Sequence, residues 1–310
     1  MSDTVVKSDS LRDLGKALVE LADKPFYENN GIVIYNGDVI EVLETLPNDS
    51  IDMVITSPPY NCRKDYGDFD DQMPWAGYYQ WMGLILDQLY RVLRLGGTLA
   101  INVPGVVRFQ RAHKYAYTWS SYEPNYDTHR GNEKVRGTGR IEPIGFKLFD
   151  MMFERDKHVR EPIIWVKGSQ DGEAISTTNI KASDNNPYLR PAHEMILLGS
   201  KGQWFHRGGT GRRGGDIYPP LDYTKDVWFI TPESSSTHPA IFPVKPPLQL
   251  LRLFIHAQDA TALDPFMGEG STLEAAKALG LSAIGIELNP KYCHVSANKL
   301  RQFSFLEDSL

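Results

Sequence analysis

Two consecutive prolines, Pro58 and Pro59, follow directly on the apolar, largely β-branched run Ile51-Asp52-Met53-Val54-Ile55. The run has the length and composition of a strand. Neither proline can donate to a sheet ladder, and each holds φ near about −65°. A strand that ends there ends abruptly, in a stiff turn. The Ser57 hydroxyl, the carbonyls that follow it and the Tyr60 ring would then face the crevice at a strand's carboxyl end, where open α/β sheets bind ligands. An ordinary strand-ending loop can use the same two prolines, so Thr56-Ser57-Pro58-Pro59-Tyr60 alone decides nothing about chemistry.

The segments around this turn alternate in period. Ile32 to Tyr35 reads as a strand, and Val39, Val42, Leu43 and Leu46 mark a helix that runs to Pro47. After strand 51–57 comes a long helix, Trp75 to Leu95, with a stripe of Leu84, Ile85, Leu89, Val92 and Leu93 and a stop at Gly96-Gly97. Thr98 to Val103 is the next strand. Strand, helix, strand, helix, strand is the pattern of a parallel sheet with crossovers. Further on, a helix is expected over Ile144 to Phe153, with strands at Pro162 to Lys167, Glu194 to Leu198 and Asp226 to Ile230. An apolar helix then covers Leu248 to Ile255.

Composition excludes several classes. The chain has 310 residues, 41% hydrophobic and 23% charged, which fits one large α/β domain with insertions or two domains. No apolar run approaches the roughly 18 residues of a membrane span. Met1 to Ser10 is polar and lacks the apolar core of a signal peptide. Ser10 can cap a short helix carrying Leu11, Leu14, Leu18 and Leu21, a helical extension over 1–28. Cys62 and Cys293 supply neither a disulfide framework nor a zinc spacing, and no metal is expected. A cytoplasmic enzyme of bacterial type is the expectation. The net charge of −6 argues mildly against a generic nucleic-acid binder, but a local basic face can still contact phosphates.

Two segments have such a face. From Pro104 to Arg140 the apolar periodicity disappears, and Arg108, Arg111 and Lys114 open a series of basic residues interleaved with aromatic ones. Cations suit phosphates and flat rings stack on bases, although a solvated loop with its own aromatic cluster reads the same way. Trp204 to Tyr223 is rich in glycine and carries Arg207, Arg212 and Arg213, which can reach phosphates or guanine edges, or simply decorate a surface loop. Asp38 is also two-valued: it sits where a strand gives way to a helix, as an N-cap or as an acceptor for a ligand.

The last block is the second strong signal. Thr261-Ala262-Leu263 is a short strand, Asp264-Pro265-Phe266-Met267-Gly268-Glu269-Gly270-Ser271-Thr272 a turn, Leu273 to Leu279 a helix, and Ser282 to Ile286 a strand that ends in Glu287. This is one nucleoside-binding unit. A dinucleotide site would want a third glycine or alanine where Leu273 stands, and Asp264 would repel a pyrophosphate. A nicotinamide oxidoreductase is disfavoured for both reasons. A ligand with an adenosine and a cationic end but no phosphate fits, which describes S-adenosylmethionine. Glu287 is placed to accept from both ribose hydroxyls.

Taken together these motifs resemble the β class of DNA amino-methyltransferases. Thr56 to Asn61 matches the catalytic motif, Asp264 to Thr272 the cofactor loop, and Gly285-Ile286-Glu287-Leu288-Asn289-Pro290 the ribose acid. His238-Pro239-Ala240-Ile241-Phe242-Pro243 resembles the motif at the methionine end of the cofactor, and Asn36-Gly37-Asp38 the segment at its adenine. The catalytic motif comes first and the cofactor motif last, which marks the class. The resemblance covers nearly all of the chain and is weakest over 1–28, 104–140 and 168–190.

It implies a Rossmann-like α/β fold with a seven-stranded, mostly parallel sheet and permuted motif order. A methyltransferase domain would span 29–310, with 104–140 and 199–226 as inserted segments that contact double-stranded DNA. By resemblance Ser57, Pro58, Pro59 and Tyr60 are catalytic. Asp38, His238, Phe242, Asp264, Pro265, Phe266, Gly268, Gly270, Thr272, Glu287 and Asn289 would hold S-adenosylmethionine. Ser57 and the Pro58 carbonyl would accept the two N–H groups of an exocyclic amine, and Tyr60 would stack on the flipped base. Ser at position 57 goes with N4 of cytosine in most of the family, and Asp with N6 of adenine. The expected activity is therefore N4-cytosine methylation, with N6-adenine as the alternative. A non-catalytic protein that holds cofactor and DNA is a third reading. Expected partners are DNA and a cognate restriction endonuclease, with the chain a monomer or homodimer in a bacterial, archaeal or phage-infected cytoplasm.

Overall fold

The computed structural model describes residues 24–62, 71–109, 140–168, 191–205, 207–208, 221–233 and 242–307. Strand β3, Ile51–Thr56, lies at the centre. Its side chains alternate between two apolar layers. Val54 belongs to one cluster with Leu43, Tyr78, Ile85 and Leu148, while Met53 and Ile55 belong to another with Leu250, Phe254, Leu273 and Ala276. A strand covered on both faces is apolar on successive residues rather than alternating, which is why Met53 to Ile55 reads as a continuous run after Asp52.

Eight further strands complete the sheet: β1 (Tyr27–Asn29), β2 (Ile32–Asn36), β4 (Leu93–Val103), β7 (Val159–Lys167), β8 (His193–Ser200), β9 (Val227–Ile230), β10 (Thr261–Asp264) and β11 (Ser282–Glu287). The order across it is β1-β2-β11-β10-β3-β4-β8-β7-β9. Within the β2-to-β7 set, β8 alone runs antiparallel to its neighbours. The expected seven-stranded Rossmann-like core is thus present, and β1 and β9 extend its two edges.

Helices cover both faces. They are α1 (Val39–Thr45), α2 (Trp75–Val92), α3 (Ile144–Arg155), α4 (Lys245–Phe254), α5 (Ser271–Ala278) and α6 (Pro290–Glu307). No helix among the described residues is long and apolar enough to cross a membrane. The expected helix with Leu11 to Leu21 lies outside the described residues, while Tyr27 and Glu28, placed with the 1–28 extension, belong to β1 of the sheet.

The permuted order of the motifs has a simple geometric basis. β3 and β10 are parallel neighbours, with Met53 opposite Ala262 and Val54 opposite Leu263. The turns that follow them therefore leave the sheet side by side.

Two local expectations are corrected. The long helix ends at Val92, not at Leu95, and Leu93 enters β4 at once. Gly96-Gly97 does not cap the helix. It lies in the irregular start of the strand, where the register against β3 shifts between Ile51 and Met53. Gly96 has φ +79°, and a Cβ there would come within 2.1 Å of the Phe205 carbonyl oxygen. The second correction concerns 104–140, which does not leave the domain as bare loop. Its ends pair as β5 (Val107–Phe109) and β6 (Arg140–Glu142), an antiparallel two-stranded stem. At its base, buried Glu142 accepts from the Tyr79 hydroxyl at 2.9 Å and from Lys147.

Helix α1 has no basic residue in its last turn, and Arg91 of α2 supplies the missing donors. Its guanidinium donates to the carbonyls of Leu43 at 2.6 Å and Leu46 at 2.8 Å, and to Asn48 at 2.7 Å. Replacement by alanine would remove the donor to the Leu46 carbonyl and leave the Leu43 carbonyl with the Leu46 amide alone. Arg91→Ala should cost about 1–3 kcal/mol of stability, read from the urea midpoint. An unchanged midpoint would show that water serves these carbonyls equally well.

Candidate active site

Thr56 is the last residue of β3 and Asp264 the last of β10. The Thr56 hydroxyl donates to Asp264 Oδ1 at 2.8 Å. The Thr272 hydroxyl, from the first turn of α5, donates to Oδ2 at 2.6 Å, and the Phe266 amide donates to Oδ1 at 3.1 Å. Asp264 is 3% exposed. Burial pushes its carboxyl up to about 6, against the opposing pull of the three donors. This aspartate is a strut between the two turns.

Glu287 ends β11 beside it. Its Oε2 accepts from the Gly268 amide at 3.0 Å and its Oε1 from the Asn289 amide at 2.8 Å. Burial again dominates, and pushes this carboxyl up to about 7. Gly37, after β2, donates its amide to the Glu287 carbonyl at 3.1 Å, so the Asn36-Gly37-Asp38 turn is fixed to the same rim. Glycine at 270 is required on two counts: φ is +89°, and a Cβ would lie 2.1 Å from Ser296 Oγ on α6. The glycine turn is thus clamped between the sheet and the last helix.

In the other turn, Pro58 and Tyr60 are buried and Ser57 is half-buried. The Tyr78 hydroxyl donates to the Pro59 carbonyl at 2.9 Å and fixes the turn from below. Among the described residues no backbone group donates to the Pro58 carbonyl. Ser57 Oγ is 2.7 Å from the Tyr60 hydroxyl, which in turn is 3.2 Å from Glu194 Oε2. The site therefore offers two acceptors, Ser57 Oγ and the Pro58 carbonyl, beside a glycine turn, the buried Asp264 and the half-buried Glu287.

The model of the N6/N4 DNA methylase family matches residues 51–299. The chain belongs to this DNA methylase family. Among curated relatives it is similar to the type II methyltransferase M.ScaI of Streptomyces caespitosus, 24% identical over 94% of this chain and 86% of that one. It is also similar to the type II methyltransferase M.Cfr9I of Citrobacter freundii, 26% identical over 88% and 89%. Among solved structures it shares its fold with the cytosine-N4-specific PvuII DNA methyltransferase, with a TM-score of 0.61, 21% identity and 89% of each chain covered. It shares the fold as well with a DNA modification methylase of Thermus thermophilus complexed with S-adenosyl-L-methionine, with a TM-score of 0.57, 24% identity and 87% and 93% covered.

In this methylase the expected site residues fall into three groups. Ser57, Pro58, Pro59, Asp264, Pro265, Phe266, Gly268, Gly270, Glu287 and Asn289 are gathered at the carboxyl ends of β3, β10 and β11. Asp264 and Thr272, however, spend their polar atoms on each other and on Thr56, and Thr272 is fully buried. They brace the site and do not line it. Asn289 caps α6, its Oδ1 accepting from the Lys291 amide at 2.9 Å. Asp38 is the N-cap of α1, accepting from the Ile40 amide at 2.8 Å and the Glu41 amide at 3.3 Å. Phe266 packs against Trp81 and Phe242 against Trp165, with ring centroids 5.6 and 5.9 Å apart.

Two expectations are corrected. Tyr60 is 8% exposed, with its ring in the core and its hydroxyl bonded to neighbours, so it does not present a free stacking face. Arg207 is committed to acids at the opposite end of the sheet. Its Nη1 donates to both carboxylate oxygens of Asp259 at 2.7 Å, and its Nε donates to Asp52, near the start of β3, at 3.2 Å. Two carboxylates already neutralise it, so it offers no cation to a phosphate at the TSPPY end. Arg111, Lys114, Arg212, Arg213 and His238 lie outside the described residues, as does the side chain of Arg108.

Three residues at the site were not foreseen: Asn102 on β4, Lys167 on β7 and Glu194 on β8. Asn102 Nδ2 donates to Glu194 Oε2 at 2.6 Å and to the Tyr60 hydroxyl at 3.0 Å, and Lys167 pairs with Glu194 Oε1. The available signal in each case was a polar residue next to the apolar stretch of its strand, close to one end. Among the described residues no group of three or more His, Cys, Asp or Glu could hold a metal ion.

The raised carboxyls have a consequence for pH. Glu287 holds its proton to about 7 in the fold against an ordinary 4.5, and Asp264 to about 6 against 3.8. Folding therefore takes up protons in those windows, and stability falls as pH rises through them. The ligand-free protein should melt at a lower temperature near neutrality than at about pH 5.5, and Glu287→Gln should flatten that slope. An identical slope in the variant would remove Glu287 as its source.

Proposed function

We propose that this chain transfers a methyl group from S-adenosylmethionine to the exocyclic N4 amine of a cytosine flipped out of double-stranded DNA. The observation that carries the reading is the pair of acceptors, Ser57 Oγ and the Pro58 carbonyl, on a turn braced through Asp264 to the glycine turn. An exocyclic amine is a poor nucleophile, because its lone pair is delocalised into the ring. Two acceptors on its N–H groups pull the nitrogen towards a tetrahedral shape and localise that pair, a case of positioning and electrostatics without a covalent intermediate. The Pro58-Pro59 turn prevents the acceptors from relaxing away.

S-adenosylmethionine, when bound, supplies an electrophilic methyl group on a sulfonium. The residues fit such a ligand: Glu287 is a half-buried carboxylate that can accept from hydroxyl donors, Asp38 keeps Oδ2, and Phe242 and Phe266 are half-exposed apolar surfaces. His238 belongs to the same proposal from its motif. An acidic rim without a basic phosphate cradle suits a cationic ligand.

The base reaches this pocket by leaving the stack. DNA contacts are assigned to 104–140, whose ends pair as β5 and β6, and to the basic part of 199–226. The relatives' type II names support a role beside a cognate restriction endonuclease in a bacterial cytoplasm. Adenine N6 is the second reading, since the same two acceptors serve either amine. Ser57 favours cytosine through the family pattern.

Two experiments test this. DNA from a methylation-free host expressing the chain should contain N4-methylcytosine on nucleoside mass analysis; N6-methyladenine would move the activity to the second reading, and no modified base would reject both. Ser57→Ala should lower methyl transfer by about 100-fold or more and leave cofactor affinity within about twofold. Glu287→Ala should do the reverse, weakening cofactor binding by about tenfold or more. Equal losses of turnover and affinity in Ser57→Ala would remove Ser57 from the chemistry.

A further inference from the structure

The buried cluster behind Ser57 has a direction. Glu194 lies at the start of β8 with Lys167 on its Oε1, while Oε2 accepts from Asn102 Nδ2 at 2.6 Å and from the Tyr60 hydroxyl at 3.2 Å. An ionised carboxylate only accepts, and lysine only donates. The Asn102 amide is therefore oriented, because its oxygen in place of its nitrogen would face a carboxylate oxygen at 2.6 Å. Tyr60 has one hydroxyl proton, and Glu194 takes it. The 2.7 Å bond between Ser57 Oγ and the Tyr60 oxygen is then left with one possible donor, the Ser57 hydroxyl. Asn102 Nδ2 is 3.4 Å from Ser57 Oγ, too far to compete strongly for its lone pairs.

A lone serine hydroxyl can rotate and offer a target base either its proton or its lone pairs. Here the proton is committed inward along Ser57, Tyr60 and Glu194, and the lone pairs remain for an N–H donor. We propose that Glu194, held by Lys167 and Asn102, is a positioning residue that fixes the polarity of this hydroxyl chain and so keeps Ser57 an acceptor. The proposal rests on the methyl-transfer reading above and names what makes its acceptor work.

Glu194→Gln is the direct test. Lys167 draws the oxygen of the new amide to itself, and the amide NH2 turns towards Tyr60 and Asn102. Asn102 can receive it by flipping, since its Oδ1 has no hydrogen-bond partner among the described residues. Tyr60 then gives its proton to Ser57, and the chain runs backwards. Single-turnover methyl transfer should fall by about tenfold or more, while dissociation constants for cofactor and DNA stay within about twofold and the melting temperature changes little. Tyr60→Phe keeps the ring, deletes the link and should also slow transfer without weakening binding. Adding Lys167→Met to Glu194→Gln frees the amide to turn its oxygen back and should recover part of the lost rate, which a merely structural role would not do.

Wild-type rates in both Glu194→Gln and Tyr60→Phe would overturn the proposal, as would losses fully accounted for by weaker binding. If Glu194→Gln does not fold, Tyr60→Phe decides alone. A wild-type chain that methylates no DNA would instead overturn the function reading, and this proposal with it.

Discussion

The carboxylate of Asp264 accepts from Thr56 at the end of β3 and from Thr272 at the start of α5. It joins two turns whose residues are 208 positions apart in the chain. Hydrogen bonds from hydroxyls are short and directional, so this one group ties the turn that carries Ser57 to the glycine turn. Methyl transfer demands such a tie, because the reacting atoms must meet in line. A charged group in this position is costly to bury, and the raised proton affinity of Asp264 is the measure of that cost. Three donors offset it without a counter-ion.

Glu287 and Glu194 repeat the arrangement with different partners. Glu287 is held by the backbone amides of Gly268, Leu288 and Asn289, which fix its position. Glu194 is held by a lysine and an amide on neighbouring strands, so its charge is balanced locally. The three acids stand at one end of the sheet, on β10, β11 and β8. Only Glu287, with its backbone donors and half-buried carboxylate, remains open to a ligand that brings hydroxyls or positive charge.

Most of the central sheet was legible from apolar period and turn chemistry. Both faces of β3 are covered, so Met53 to Ile55 is apolar on successive residues; the glycine turn and the acid that ends β11 are local patterns, and they fell where the structure has them. What escaped depends on pairing at long range. Gly96-Gly97 looks like a helix stop because nothing local reveals that a strand begins at Leu93. Asp264 looks like a ligand contact because its partner Thr56 is far away in the chain. Arg207 looks like a free cation because Asp52 and Asp259, which neutralise it, lie 155 and 52 residues off. The β5–β6 stem is three residues a side, too short to show an alternation.

The same long-range pairing hid the cluster behind Ser57, and its location explains why such a cluster exists. β8 is the one strand of the central set that runs against its neighbours, so it brings the amino end of a strand to the crevice formed by the carboxyl ends of the others. An acid at position 194 arrives between Asn102 on one side and Lys167 on the other only because of that reversal. Buried ion pairs rarely stabilise a fold more than apolar residues of the same size would. A buried glutamate and asparagine with a part-buried lysine on the acid, within one tyrosine of the proposed acceptor, are therefore better explained by what they impose on Ser57 than by what they add to the core. A serine hydroxyl has no intrinsic preference between giving and accepting a hydrogen bond. A neighbouring fixed anion, reached through one phenol, supplies that preference, and it does so without placing a negative charge against the base itself.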